Sequence, residues 1–374
     1  MQVKGLKVIQ LVIDARMYFS SGIGTVLQNL IPRLSTTGFS ITLLLKEEDL
    51  NKVSIPHAKV IPMKSSIYSI QEQIELCRKI PKTDLFWSPH YNIPLLPIRA
   101  KKRFVTIHDV CHLALKDCFS PLQRFYAKRM LKQAISRSDL VLVNSQFTVD
   151  EIKAYLKKEE SKIKKIHFAV DKHQFASDPL PIDAEAQKVL TLPKSYFLFV
   201  GNLKPHKNLS LLLEAFEQVA DNIASDLVIV GAKENFIVAD QAAEKRAQTS
   251  KHRNRIHFLG KVEQKYLPSI YRLSKALVFP SLYEGFGFPA LEAMQCSSIV
   301  IASKIGALKE VCEDAALYFD PQDSKSLEKL LIEVDGNEEI RRDLLERSKG
   351  RLTHFNWDET ASRYATEMRG LLRR

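Results

Sequence analysis

Short apolar runs, separated by stretches with the three- and four-residue spacing of helices, recur along this 374-residue chain. In the first half they are Val8–Ile13, Ile41–Leu45, Leu85–Trp87, Phe104–Ile107 and Leu140–Val143. They are continuous rather than alternating, the pattern of strands buried on both faces of a parallel sheet. Val26, Leu27, Leu30 and Leu34 mark a helix from Thr25, so strand, Ser20-Ser-Gly-Ile-Gly24 loop and helix open a doubly wound domain. The second half repeats the pattern. Its strands are Tyr196–Val200, Leu227–Val230, Ile256–Gly260, Ala276–Phe279, Ile299–Ala302 and Ala316–Phe319, with helices at Leu209–Val219, Leu267–Leu273 and Leu308–Val311. A last helix is expected from Trp357 to Leu372, and the proline-rich stretch Asp178–Asp183 reads as a hinge. The expected fold class is α/β, with two Rossmann-like domains, residues 1–180 and 181–356.

Composition narrows the class. Hydrophobic residues make up 45% and charged residues 26%, the balance of a globular protein with ample length for two cores. No apolar run approaches the roughly 18 residues of a membrane span. Lys4 and Lys7 before an apolar run resemble the start of a signal peptide, but Asp14 and Arg16 interrupt it and a first strand is the better reading. Five scattered cysteines without a C-x-x-C argue against a disulfide framework or zinc site and for the cytoplasm. The net charge of +12 lies wholly in the first 180 residues, which hold 28 Lys and Arg against 16 Asp and Glu. That asymmetry points to an anionic partner for the first half.

The most informative stretch is Ala276–Gln295, ALVFPSLYEGFGFPALEAMQ. A buried strand leads into a Pro280–Phe288 loop holding Gly285 and Gly287, and Pro289 suits the first position of a helix. Glu284 lies in the loop and Glu292 is expected in the first helical turn. Strand, glycine loop and helix direct backbone N–H groups at one spot, which suits phosphate, and a carboxylate beside it can accept from a sugar diol. Solvated glutamates on a tight turn are the plain alternative, and local chemistry alone does not choose between them.

The run Glu284-Gly-Phe-Gly-Phe-Pro-Ala-Leu-Glu292, followed by Ser303-Lys-Ile-Gly306 and Glu310, resembles the E-x7-E segment of retaining GT-B glycosyltransferases, the "glycosyl transferases group 1" family. The resemblance implies two Rossmann-like domains facing across a cleft, the first for the acceptor and the second for a nucleotide-sugar, with the terminal helix, about 357–374, returning to the first. It implies that Glu284 positions and stabilises the donor sugar and that Glu292 holds the ribose. Gly285, Phe286, Gly287, Phe288, Gly201 and Asn202 would line the donor, and Val262 would border its base. Lys207, in Lys204-Pro-His-Lys207-Asn208, matches the family's phosphate lysine, while Asn202 and His206 stand where many members carry an arginine. His108, beside Asp109 at the end of a strand, matches a histidine over the donor sugar, able to donate to a hydroxyl; His90 is a lesser candidate. Gly22 and Gly24 match a loop near phosphates and acceptor, or serve a tight turn. Val143-Asn-Ser-Gln-Phe147 matches a strand-end turn.

The implied activity is hexose transfer from a nucleotide-sugar, GDP-mannose first, to a glycan or lipid-linked acceptor of cell-surface polysaccharide or lipopolysaccharide. No cofactor and no metal is expected, since Lys207 carries the charge a metal would. A front-face path, with the leaving phosphate taking the acceptor proton, asks for no protein base. Two further features bear on partners. Pro121–Ile135 places Leu122, Phe125, Tyr126, Met130 and Ala134 on one helical face and Arg124, Lys128 and Lys132 opposite; Lys153, Lys157, Lys158, Lys162, Lys164 and Lys165 add to the basic half. Such a helix either lies on an anionic membrane, making the protein peripheral on the inner face, or packs on the core with a wet basic side. A sugar-nucleotide epimerase or phosphorylase on the same frame is the nearest rival. A nucleic-acid-binding protein is the rival of another class, but no basic helix–turn–helix or aromatic RNA motif supports it, and no nucleic acid partner is expected.

Overall fold

The structure, a computed structural model, describes residues 8–157, 161–231 and 241–373. Lys4, Lys7 and Lys158 lie outside them. The chain divides into two compact units: one takes the described residues up to Phe168 and from Asn356 onward, the other those of Ala169–Phe355.

The first unit is built on a parallel sheet of β1 (Ile9–Asp14), β2 (Phe39–Lys46), β3 (Lys59–Met63), β4 (Thr83–Ser88), β5 (Ala100–Ile107), β6 (Leu140–Val143) and β7 (Ile163–Lys165). The spatial order is β3-β2-β1-β4-β5-β6-β7, so the winding reverses between β1 and β4. The central strands are apolar because helices cover both faces: Leu11, Ile13, Leu85, Trp87 and Val105 are inaccessible. Helices α1 (Ser21–Ser35), α2 (Ile70–Lys79), α3 (Pro121–Arg137) and α4 (Gln146–Leu156) connect these strands. The last helix, Trp357–Arg373, packs on α1. Arg33 pairs with Asp358 at 2.7 Å, Thr360 donates to the His167 carbonyl, and the Tyr364 ring sits 5.6 Å from Trp87.

Strands β3 and β7 escape the apolar-run criterion because they are sheet edges. Pro62 sits in β3, where a missing N–H is tolerated, and the two lysines of β7 guard its open side. Helix α1 starts at Ser21, not Thr25, so Gly22 and Gly24 lie in its first turn and the preceding loop is Ala15–Ser20. A Cβ on Gly24 would stand 2.6 Å from the Tyr18 carbonyl oxygen, which fixes glycine there. Helix α3 also differs from expectation. Its buried side is Ala127, Met130, Leu131, Ala134 and Ile135, while Leu122 and Phe125 face solvent with the basic residues.

The second unit has a parallel sheet of β8 (Tyr196–Val200), β9 (Asp226–Val230), β10 (Ile256–Gly260), β11 (Ala276–Phe279), β12 (Ile299–Ser303) and β13 (Ala316–Phe319), ordered β10-β9-β8-β11-β12-β13. Its winding reverses between β8 and β11. Helices α5 (Pro181–Val189), α6 (Leu209–Val219), α7 (Leu267–Leu273) and α8 (Phe288–Gln295) include those that carry the site. The boundary at Phe168/Ala169 precedes the proline-rich stretch, which falls inside the second unit. Arg272 grips Asp183 through two bonds of 2.8 and 2.7 Å and also donates to the Ala176 carbonyl. Burial would raise the Asp183 carboxyl, but Arg272 and the Leu180 N–H bring it down to about 2. Residues 178–183 are thus anchored within the second unit.

Candidate functional site

In a doubly wound sheet the loops leaving the carboxyl ends of the two strands at a winding reversal diverge and leave a crevice, where ligands bind. In the second unit these are the loops after β8 and β11. They are joined twice: the Leu282 N–H donates to the His206 carbonyl at 2.8 Å, and Asn208 Nδ2 donates to the carbonyls of Pro280 at 3.1 Å and Pro321 at 2.9 Å. Asn208 holds a left-handed backbone, φ 57°, which ends the 3-10 turn Pro205–Lys207 and starts α6. This places Lys207 Nζ 2.5 Å from Glu284 Oε1, with the Phe279 ring 5.8 Å from the ammonium. Both side chains are mostly buried yet reach the surface.

The β11 loop turns into α8 at Gly287, whose φ of +115° suits glycine alone and whose Cβ would stand 2.6 Å from a Leu308 methyl. Helix α8 begins at Phe288, so Pro289 is its second residue and Glu292 lies in the second turn, not the first. Glu292 accepts from the Tyr271 hydroxyl at 2.8 Å. Burial pushes the Glu292 carboxyl up to about 7, and the Tyr271 bond only partly offsets it. Tyr271 is itself buried and held well above its ordinary value, so it stays a neutral donor. Phe286 is 3% exposed and packs on Phe288 and Phe355, so its ring supports the loop from behind and offers no face to a ligand. Gly201 and Asn202 are half-buried at the end of β8, and Val262 is half-buried in the turn after β10.

In the first unit the crevice lies at β1 and β4. Asp14, Arg16, Met17, Ser88, His90 and Asn92 line a small cavity there. Arg16, 2% exposed, binds both Asp14 oxygens at 2.7 and 2.6 Å and Glu72 at 2.6 Å, and Asn92 donates to both Glu72 oxygens. One cation between two carboxylates leaves this buried cluster with a negative formal charge. His108 follows β5, and its Nε2 donates to the Pro89 carbonyl at 2.8 Å, because a carbonyl only accepts. Burial lowers the His108 pKa, with Pro89 and Asp109 opposing it. The neutral ring then carries its proton on Nε2 and leaves Nδ1 as an acceptor. In that tautomer Nδ1 can accept a hydrogen bond and Nε2 is already engaged with Pro89.

The structure thus brings Lys207 and Glu284 together, gives Glu292 the partner Tyr271, and leaves Gly22 and Gly24 inside a helix. Asn208 and Tyr271 were not anticipated. A polar residue directly before an apolar helix signals the first; Tyr271, inside an apolar helical run, signals nothing. Among the described residues no group of three or more His, Cys, Asp or Glu gathers as a metal site would.

Comparison with known proteins bears on the family and the fold. The family model "Glycosyl transferases group 1" matches residues 182–351, and "Glycosyltransferase Family 4" matches residues 20–174. The O-antigen chain mannosyltransferase RfbU of Salmonella typhimurium is 28% identical over 74% of this chain and 72% of its own. Sucrose-phosphate synthase from Thermosynechococcus elongatus superposes with a TM-score of 0.79 at 21% identity, covering 97% of this chain and 98% of that one. Anabaena HepE, solved in complex with UDP and glucose, gives a TM-score of 0.77 at 16% identity over 97% and 100%. With its two parts matched by the group 1 and family 4 glycosyltransferase models and the GT-B fold shared, the chain is a glycosyltransferase of the GT-B fold.

Proposed function

We propose that this glycosyltransferase moves mannose from GDP-mannose, with retention of anomeric configuration, to a glycan on a lipid-linked acceptor in O-antigen or related surface polysaccharide synthesis. The carrying observation is the Lys207–Glu284 contact at the winding reversal of the second unit. The name of the Salmonella relative supports mannose. When the bond from the anomeric carbon to the diphosphate breaks, its electron pair goes to the leaving phosphate and positive charge develops on the sugar ring. Lys207, a compact cation, stabilises the phosphate, and the Glu284 carboxylate stabilises and positions the sugar. In the donor-free protein the two neutralise each other; a donor phosphate replaces Glu284 as the partner of Lys207. The acceptor oxygen bonds to the carbon from the face the phosphate leaves, and its proton passes to that phosphate, so no protein base is required. Glu292, once ionised, accepts both ribose hydroxyls. His108 Nδ1 accepts from a sugar hydroxyl. The step runs without a metal in this reading, because Lys207 supplies the charge.

A thermal-shift series with GDP-mannose, UDP-glucose and dTDP-rhamnose tests the donor, since a bound ligand raises stability by mass action. GDP-mannose is expected to give the largest shift; a larger one with another donor overturns the assignment. Proton NMR of the product reads the anomeric configuration, and an inverted product rules out the front-face path. Activity in EDTA should equal that without it; a loss restored by Mg²⁺ or Mn²⁺ would show a metal at work.

A further inference from the structure

We propose that the β1/β4 crevice of the first unit is a subsite for one neutral sugar hydroxyl of the acceptor glycan, read by Arg16 and Tyr68. Arg16 is 2% exposed, and its Nε and Nη2 are taken by Asp14 and Glu72. Its Nη1 is buried with no partner among the described residues, and Arg16 lines the cavity. A buried N–H without an acceptor is costly, so this position calls for an oxygen from outside the chain. The cavity has a volume of about 10 Å³, room for a single oxygen-sized group and not for a carboxylate or phosphate. Charge gives the same answer: Asp14 and Glu72 outnumber Arg16 and would repel a further anion. The floor of the cavity, Asp14, Arg16, Ser88 and Asn92, is buried, while Met17, Ile67 and His90 are half-buried, so it opens at the surface past these three.

Tyr68 stands at that opening, next to Ile67 and His90. Its backbone is left-handed, φ 72°, a conformation a bulky residue rarely adopts, and Glu72 holds it there by accepting the Tyr68 N–H at 2.7 Å. The same carboxylate, inaccessible to solvent, accepts from Arg16 and Asn92, so one buried acid sets both reading groups. His90 Nδ1 accepts from the Asn92 N–H at 3.3 Å, and burial lowers the His90 pKa to about 3. The neutral ring therefore carries its proton on Nε2 and donates it to the Tyr68 oxygen, 3.5 Å away. That leaves the Tyr68 proton for a ligand, and burial, which pushes the hydroxyl up to about 12, keeps the proton in place. Tyr68 is 50% exposed and presents an apolar ring with a polar tip. A sugar, with C–H faces and a hydroxyl edge, matches both. The hydroxyl site follows from the cavity; that its occupant is the acceptor rests on the transferase reading.

The test is saturation-transfer NMR on the whole protein with the methyl glycosides of mannose, galactose, rhamnose and N-acetylglucosamine, beside methyl glucuronide and mannose 6-phosphate. At least one neutral glycoside is expected to bind. Arg16→Lys keeps a cation between Asp14 and Glu72 but removes Nη1, and should weaken that binding about tenfold. Tyr68→Phe removes only the hydroxyl and should weaken it roughly fivefold. At its half-exposed position Tyr68→Phe keeps the test standing if Arg16→Lys fails to fold. The absence of any bound neutral glycoside overturns the proposal, as does an acidic sugar whose binding falls in Tyr68→Phe. Unchanged binding in Tyr68→Phe, or in a folded Arg16→Lys, also overturns it and leaves the cavity to a water. GDP titration by calorimetry on the same samples separates the two readings: absent GDP binding with an intact glycoside signal sinks the donor assignment and leaves the hydroxyl site standing.

Discussion

Lys207 and Glu284 are 77 residues apart in the chain and 2.5 Å apart in space, at the two loops that flank the winding reversal of the second unit. Their side chains are 18% and 14% exposed, so removing one leaves its partner poorly hydrated and uncompensated. Glu284→Gln and Lys207→Met should each destabilise by about 1–3 kcal/mol in urea unfolding. The double variant should cost less than the sum of the two, because neither charge is then stranded. Transfer should fall by a factor of about 10²–10³ in either single variant, as for loss of one transition-state contact. Turnover unchanged in Glu284→Gln would remove it from the reaction.

Glu292 makes stability depend on pH. Its carboxyl ordinarily titrates near 4.5 and is raised to about 7 in the fold. A raised carboxyl contributes stability fully below 4.5, and the contribution is lost as pH climbs to 7, where the folded protein must ionise a buried group. The loss is on the order of 3 kcal/mol at most. Glu292→Gln should flatten the unfolding free energy between those pH values; an unaltered slope would mean that another group carries it.

The same group predicts proton release on nucleotide binding. A ribose diol needs the ionised carboxylate as acceptor, so GDP should bind more tightly at pH 8 than at pH 6. Calorimetry in buffers of different ionisation enthalpy should show a proton leaving near neutrality. Glu292→Gln should bind weakly at both pH values, and a pH-independent wild type would exclude the ribose role.

Asn208 separates positioning from packing. Asn208→Gly retains the left-handed backbone and loses only the two bonds to Pro280 and Pro321. GDP-mannose affinity should drop by more than thermal stability alone accounts for, since the Lys207 turn is no longer tied to the Glu284 loop. Equal affinity in the variant would show that the His206–Leu282 bond suffices.

Arg16 tests the buried cluster of the first unit. Arg16→Met strands Asp14 and Glu72 without a cation, and the cost should be about 3–5 kcal/mol in chemical unfolding. A loss below about 1 kcal/mol would indicate that water reaches the carboxylates.

Much of the fold was legible in the chain because a strand covered on both faces must be apolar throughout. The eleven apolar runs that read as strands are β1, β2, β4–β6 and β8–β13. The edges β3 and β7 were not legible, since an edge strand is free to carry Pro62 or Lys164 and Lys165 and then resembles a loop or a charge cluster. The buried face of α3 is not legible either, for a related reason. Helical spacing shows that Leu122 and Phe125 share a side, but whether protein covers that side depends on how far the neighbouring elements extend.

The sequence by itself determined that the chain holds two parallel α/β units and that a strand, glycine loop and helix carry Glu284 and Glu292, because hydrophobic continuity and backbone conformation are local properties. Only the tertiary structure decided what those carboxylates meet. Glu284 reaches Lys207 because Asn208 and Leu282 join two loops from separate strands, and Glu292 sits against Tyr271 in surroundings dry enough to hold it near neutrality. The charge state of a side chain depends on its neighbours in space and on the water they exclude, and a linear order of residues specifies neither.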